Sequence, residues 1–169
     1  KSEKVDIRYV QAFEEARSST SAIIVDGHGE RLIVGQRDTF TPSGTSWLPL
    51  ERVAGCGAVL GDVRWLEGLR ATFAEARARG VPTVLDADLG AREALGEILE
   101  LVDFAVFSAA APREFAPGAS DGARLAYVPT LGPRHAGVTL GADGYLWREA
   151  GGEPQRQPAF QADVADTTG

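Results

Sequence analysis

Sulfur and imidazole are scarce in this chain: 169 residues supply one cysteine, Cys56, and two histidines, His28 and His135. A lone cysteine forms no internal disulfide, so a reducing compartment is the simplest setting. Its Gly-Cys-Gly context predicts a small buried apolar side chain rather than a reactive thiol. So few soft ligands leave no basis for a zinc-type site, a Cys-His pair or a Ser-His-Asp arrangement. His28, between two glycines, and His135, in Pro-Arg-His, read as loop residues. Positive charge is also in deficit, with 17 basic against 24 acidic side chains and a net charge of -7. That balance argues against non-specific binding to nucleic acid or anionic membrane, and an anionic small substrate would need a local basic pocket. No apolar run approaches the roughly 20 residues of a membrane span. The opening Lys1-Ser-Glu-Lys-Val-Asp6 is too charged for a signal peptide, so the cytoplasm is the expected location. An initiating methionine is missing as well, and the expectation is a fragment trimmed at both ends.

What is present is ordinary for one globular domain with a sizeable core, at 44% hydrophobic and 24% charged. Residues 18–34 place two Ile/Val-rich runs around Asp26-Gly27-His28-Gly29, which predicts a β-hairpin. Residues 39–49, with two prolines and several hydroxyls, predict a linker from a small β lid (1–40) to a larger body (41–169). The body alternates strand 57–60, helix 66–79 with apolar Leu66, Leu69, Phe73 and Ala76 and a Gly80 cap, strand 83–86, helix 91–101 and strand 104–108. This order implies β-α-β units and a mainly parallel sheet covered on both faces. Closely spaced strands 138–140 and 145–148 follow, then a turn at 151–154 and a strand at 162–165.

Polar residues gather where such strands end, which is where open α/β sheets bind ligands. Arg64 follows the first body strand and offers a planar fork that suits a carboxylate, phosphate or sulfonate; an ion pair with Asp62 or Glu67 is the plain alternative. Asp86 and Asp88 close the next strand as hard oxygen ligands for magnesium, with Asp88 also placed to cap the following helix, so Asp86 is favoured for function. Ser108 closes the third strand. Ser19 and Ser21, at the start of the lid, offer hydroxyls to a ligand, with cross-strand hydroxyls on an exposed β surface as the plain alternative. The Ile/Val lid strands need burial over a ligand or against a second copy, which makes a homodimer through the lid the expected assembly. The final Asp166-Thr167-Thr168-Gly169 has the composition of a backbone anion nest.

Taken in order, the hairpin 17–34, the segments 58–80 and 84–88, Val138-Thr-Leu-Gly-Ala-Asp-Gly144 and the terminal Asp-Thr-Thr-Gly resemble the ribokinase-like (PfkB) carbohydrate kinases. Within that family the chain is most similar to sulfofructose kinases, on residues 61–65, 83–86, 107–108 and 157–160. The resemblance implies a three-layer α/β/α sandwich with a β lid. It also implies transfer of the γ-phosphate of ATP to a sugar hydroxyl, with Mg2+ and a monovalent cation such as K+ beside Asp166 and Thr168. By the same resemblance Thr139 and Gly141 meet the nucleotide, Thr168 and Gly169 begin the phosphate turn, and the general base is expected just beyond Gly169. Ser108 stands near the Asn of an Asn-x-x-Glu motif, but Ala109, Ala110 and Ala111 follow it. Arg64 matches the sulfonate-recognising group, whereas Gly35 stands where those enzymes carry an Asn. The implied substrate is a ketose or acidic sugar, most specifically 6-deoxy-6-sulfofructose. Sugars of the 2-keto-3-deoxygluconate type, a plain ketose, a nucleoside, or a non-catalytic binding or dimerisation module are the alternatives.

Overall fold

The computed structural model describes residues 7–27, 31–36, 43–88 and 92–162. Two compact units emerge, the second being Gly44–Gln161. In the first, β1 (Thr20–Val25) pairs antiparallel with β2 (Arg31–Gln36), Ile23 opposite Ile33, as a sheet of its own. Strand alternation sends Ala22, Ile24, Leu32 and Val34 to one face and Ile23, Val25 and Ile33 to the other, so both faces are apolar. The hairpin forms where expected; His28, expected in its turn, and 39–42 of the expected linker lie outside the described residues.

The second unit holds a six-stranded sheet in sequential order. Strands β3 (Val59–Asp62), β4 (Thr83–Ala87), β5 (Phe104–Ser108) and β6 (His135–Thr139) run parallel. Two antiparallel strands, β7 (Tyr145–Glu149) and β8 (Gln155–Gln157), complete it. Helix α1 (Leu66–Ala78) buries Leu69, Phe73 and Ala76, the i, i+4, i+7 stripe. It ends as its sequence requires: the Gly80 N–H bonds to the Arg77 carbonyl and the Val81 N–H to the Ala76 carbonyl. That paired closure needs the left-handed φ of +68° that Gly80 adopts. After β4 come α2 (Arg92–Ile98) and a 3₁₀ turn Leu99–Leu101, so the helix expected over 91–101 changes type before its end.

The crossovers advance in one direction, β3 to β4 to β5 to β6. Right-handed connections made in a single direction place their helices on a single face. Accordingly Leu69 and Phe73 of α1, Leu95 and Ile98 of α2 and Leu125 of α4 (Asp121–Tyr127) share one core with Leu85, Ala105, Phe107, Ala136 and Val138. Cover on both faces was expected, but among the described residues the opposite face carries exposed Leu60 and half-buried Val84, Phe104, Val106, Tyr145 and Trp147. Thr83, fully buried, is satisfied by donating to the Leu101 carbonyl at 2.7 Å and accepting from the Asp103 N–H at 2.9 Å.

Several elements differ from expectation. Cys56 is exposed, because the preceding 3₁₀ turn Leu50–Gly55 buries only Val53. His135 opens β6 instead of lying in a loop. Its Nδ1 is 2.8 Å from Glu149 Oε1 and its Nε2 is 2.8 Å from the Tyr145 hydroxyl. In neutral His135 both contacts are satisfied when Nδ1–H donates to Glu149 and Nε2 accepts from Tyr145. The Tyr145 ring reaches His135 by lying across Gly137, where a Cβ would overlap it, and stacks on Trp147 at 5.5 Å.

Gly137→Ala should therefore destabilise the protein by about 1–3 kcal/mol. Adding Tyr145→Ala should remove most of that increment in a denaturant double-mutant cycle; additive effects would show that the overlap is not the cause. Burial, and secondarily Glu149, raises the Tyr145 pKa above its usual 10.0. The unfolded chain then ionises first, so this contribution is intact below pH 10 and is lost as pH rises toward the folded value. Unfolding curves of Tyr145→Phe should show a weaker alkaline loss of stability than the parent, and identical slopes would refute the assignment.

Candidate functional site

The four parallel strands bring their carboxyl ends to one edge of the sheet. Asp62 is in register with Asp86 there, and Ser108 with Thr139. Just past β3, Asp62 Oδ1 accepts the Arg64 backbone N–H at 2.9 Å, which turns the chain toward α1. Next in sequence, Trp65 stacks on Trp47 with centroids 5.4 Å apart and planes 6° from parallel. Glu67 Oε1 accepts from the Gly44 N–H at 3.1 Å. The loop that carries Arg64 is thus fastened on both sides.

From that loop the Arg64 guanidinium comes within 3.9 Å of Asp88 Oδ2, with 54% of its side chain exposed. The other carboxylate oxygen of Asp88 accepts from Ser108 Oγ at 3.0 Å. A string Arg64–Asp88–Ser108 therefore joins the ends of β3, β4 and β5. Of the two ion-pair partners considered for Arg64, Asp62 binds its backbone and Glu67 is engaged with Gly44, while the side chain faces Asp88. Asp86 is exposed on β4 beside Asp62. Asp86 lies within β4 and projects from the sheet face, whereas Asp88, one residue past the strand, lies within hydrogen-bond reach of Ser108.

Thr139 closes β6 with its hydroxyl donating to the Phe107 carbonyl at 3.3 Å. Gly141, at φ +56°, opens the turn to β7 that the Leu140 N–H closes on the Gly144 carbonyl at 2.8 Å. Three residues after Ser108, where the Asn-x-x-Glu pattern would put its acid, Ala111 is buried; Glu114 is exposed farther along α3 (Ala111–Phe115). Ser19 and Ser21 belong to the first unit, exposed, Ser21 opposite Gly35. Asp166, Thr168 and Gly169 lie outside the described residues, as does the turn before α2 that Asp88 was expected to cap. A cavity of about 200 Å³ beside β3 and α1 touches this edge only through Asp62 and Trp65; its aliphatic and aromatic walls do not suit a phosphate. Sequence reasoning missed the Trp47–Trp65 stack and the link through Asp88. The first has no local signal; for the second, the position just beyond a strand was the available clue.

Residues 1–169 match the family model for pfkB family carbohydrate kinases. The chain belongs to that family. Among solved structures it is similar to a candidate ribokinase from Agrobacterium tumefaciens, at 32% identity and a TM-score of 0.77, over 90% of this chain and 50% of that one. The Arabidopsis thaliana ribokinase solved with ribose and ATP is 21% identical, with a TM-score of 0.71 over 89% of this chain and 52% of that one. A Thermotoga maritima ribokinase, 18% identical, gives 0.69 over 89% and 51%. The latter two show the ribokinase-like α/β fold. The pfkB-family chain spans about half the length of these structures. Among the described residues no helix is long and apolar enough to cross a membrane.

Proposed function

We propose that this chain is the part of an ATP-dependent sugar kinase that forms the sheet edge facing the substrates, and that the sugar is acidic. The observation that carries the reading is Arg64, fastened at the end of β3 with over half of its guanidinium side chain open beside a row of acids and hydroxyls. In a net acidic protein, a positioned arginine at a strand end is a local answer to an anionic ligand. ATP would supply the transferred phosphoryl group, and such transfer needs positioning and charge neutralisation more than covalent chemistry.

Magnesium fits the donor set. Asp62 and Asp86 are hard oxygen ligands side by side, yet among the described residues no cluster of three or more acids, histidines or cysteines could hold a metal alone. One or two carboxylates with the rest of the shell from phosphates is the usual Mg2+ arrangement. Asp86, Ser108, Thr139 and Gly141 would face the nucleotide and its metal, and Ser19 and Ser21 the sugar. Asp166, Thr168 and Gly169 would form the phosphate turn, with K+ beside the first two. The two-sided apolar hairpin would both cover the sugar and pair with a second copy. A cytoplasmic location suits an enzyme that consumes ATP.

6-Deoxy-6-sulfofructose is the most specific candidate, and a sugar acid of the 2-keto-3-deoxygluconate type the next. The full-length protein should phosphorylate one of these with higher kcat/KM than fructose or ribose. Arg64→Ala should lower kcat/KM about ten- to a hundredfold on the acidic sugar and far less on a neutral one, the equivalent of a charge-assisted contact of about 1.5–3 kcal/mol. Equal losses on both classes would contradict the assignment of Arg64; absence of ATP-dependent phosphorylation across the panel would contradict the kinase reading.

A further inference from the structure

Arg64 is a long flexible side chain, and an exposed guanidinium must lose rotamer freedom before it can grip an anion. The structure contains a device that would reduce that cost. Asp88 is held by the Ser108 hydroxyl at 3.0 Å through one oxygen and presents the other to Arg64 at 3.9 Å. An exposed ion pair of this kind contributes little to folding, so stability alone is a weak reason for it. The spacing is equally informative. At 3.9 Å the carboxylate attracts the guanidinium without engaging it as a paired hydrogen bond, which leaves donors for an incoming ligand. A carboxylate in close bidentate contact would instead compete with that ligand.

We propose that Asp88, anchored by Ser108, is a positioning residue that aims Arg64 at the anionic group of the sugar. Asp86 does not share this role: it lies two residues back on β4, beside Asp62 and on the exposed sheet face. The inference rests on reading Arg64 as the contact to an acidic sugar.

The test uses the full-length protein and the ratio of KM on an acidic sugar to KM on a neutral one, with kcat measured separately. Asp88→Asn should raise that ratio about two- to fivefold, mainly through KM on the acidic sugar, the size expected for one exposed ion pair. Ser108→Ala, which removes one hydrogen bond to Asp88 but keeps the charge, should shift the ratio in the same direction by less, and it serves if Asp88→Asn does not fold. In an Arg64→Ala background Asp88→Asn should leave the ratio where Arg64→Ala put it. A ratio changed by Arg64→Ala but not by Asp88→Asn, or lowered by it, overturns the role of Asp88 alone. An equal shift in both backgrounds also overturns it, since Asp88 would then act without Arg64. If Arg64→Ala itself leaves the ratio unchanged while sugars are phosphorylated, the reading of the site fails and this proposal with it.

Discussion

Right-handed crossover is the constraint on which the rest of the second unit depends. Once β3, β4, β5 and β6 are laid down in sequential order and parallel, their connecting helices collect on one face and their carboxyl ends on one edge. The buried core joining Phe73, Leu85, Phe107 and Leu125 follows from the first consequence, and the meeting of Arg64, Asp88, Ser108 and Thr139 from the second. Neither needs a specific long-range contact to be encoded separately. Thr83 and Asp103 secure the opposite end, where the entries to β4 and β5 are tied by paired hydrogen bonds.

At the carboxyl edge of the sheet the electrostatics are divided. Asp62 and Asp86 lie side by side, an arrangement that repels itself and favours a shared cation. Arg64 stands past them and is drawn toward Asp88. Under the proposed reading the acids would share magnesium and the arginine would meet the anionic end of a sugar, so an overall negative chain would still present one positive contact.

Much of the framework was legible in the residues because local signals agreed with one another. In α1 the apolar stripe, the basic last turn and Gly80 all point to the same helix and the same stop. The β1–β2 hairpin was likewise readable from its Ile/Val runs and turn cluster. Legibility failed where tertiary packing decides. The strand expected over 138–140 instead spans His135–Thr139 and takes in Gly137, whose empty side the Tyr145 ring fills. Helix α4 has a Ser120 cap accepting from the Ala123 N–H, a signal muted by Gly122 and by its short length. β8 is three polar residues, formed by pairing with β7 and not by pattern. Within the site, strand ends were identifiable, but the contacts of Asp88 with Ser108 and Arg64 were not, since they are made between different strand ends. The exposed Cys56 had a composition that suggested burial, and no core was waiting beneath it.

The most direct test is a crystal structure of the full-length protein with an acidic sugar and a non-hydrolysable ATP analogue. The expected result has the Arg64 guanidinium about 2.7–2.9 Å from the anionic group of the sugar at the carboxyl edge of β3 to β6, with the phosphates beside Thr139 and Gly141. A sugar bound elsewhere, with Arg64 turned to solvent or committed to another protein group, would contradict it.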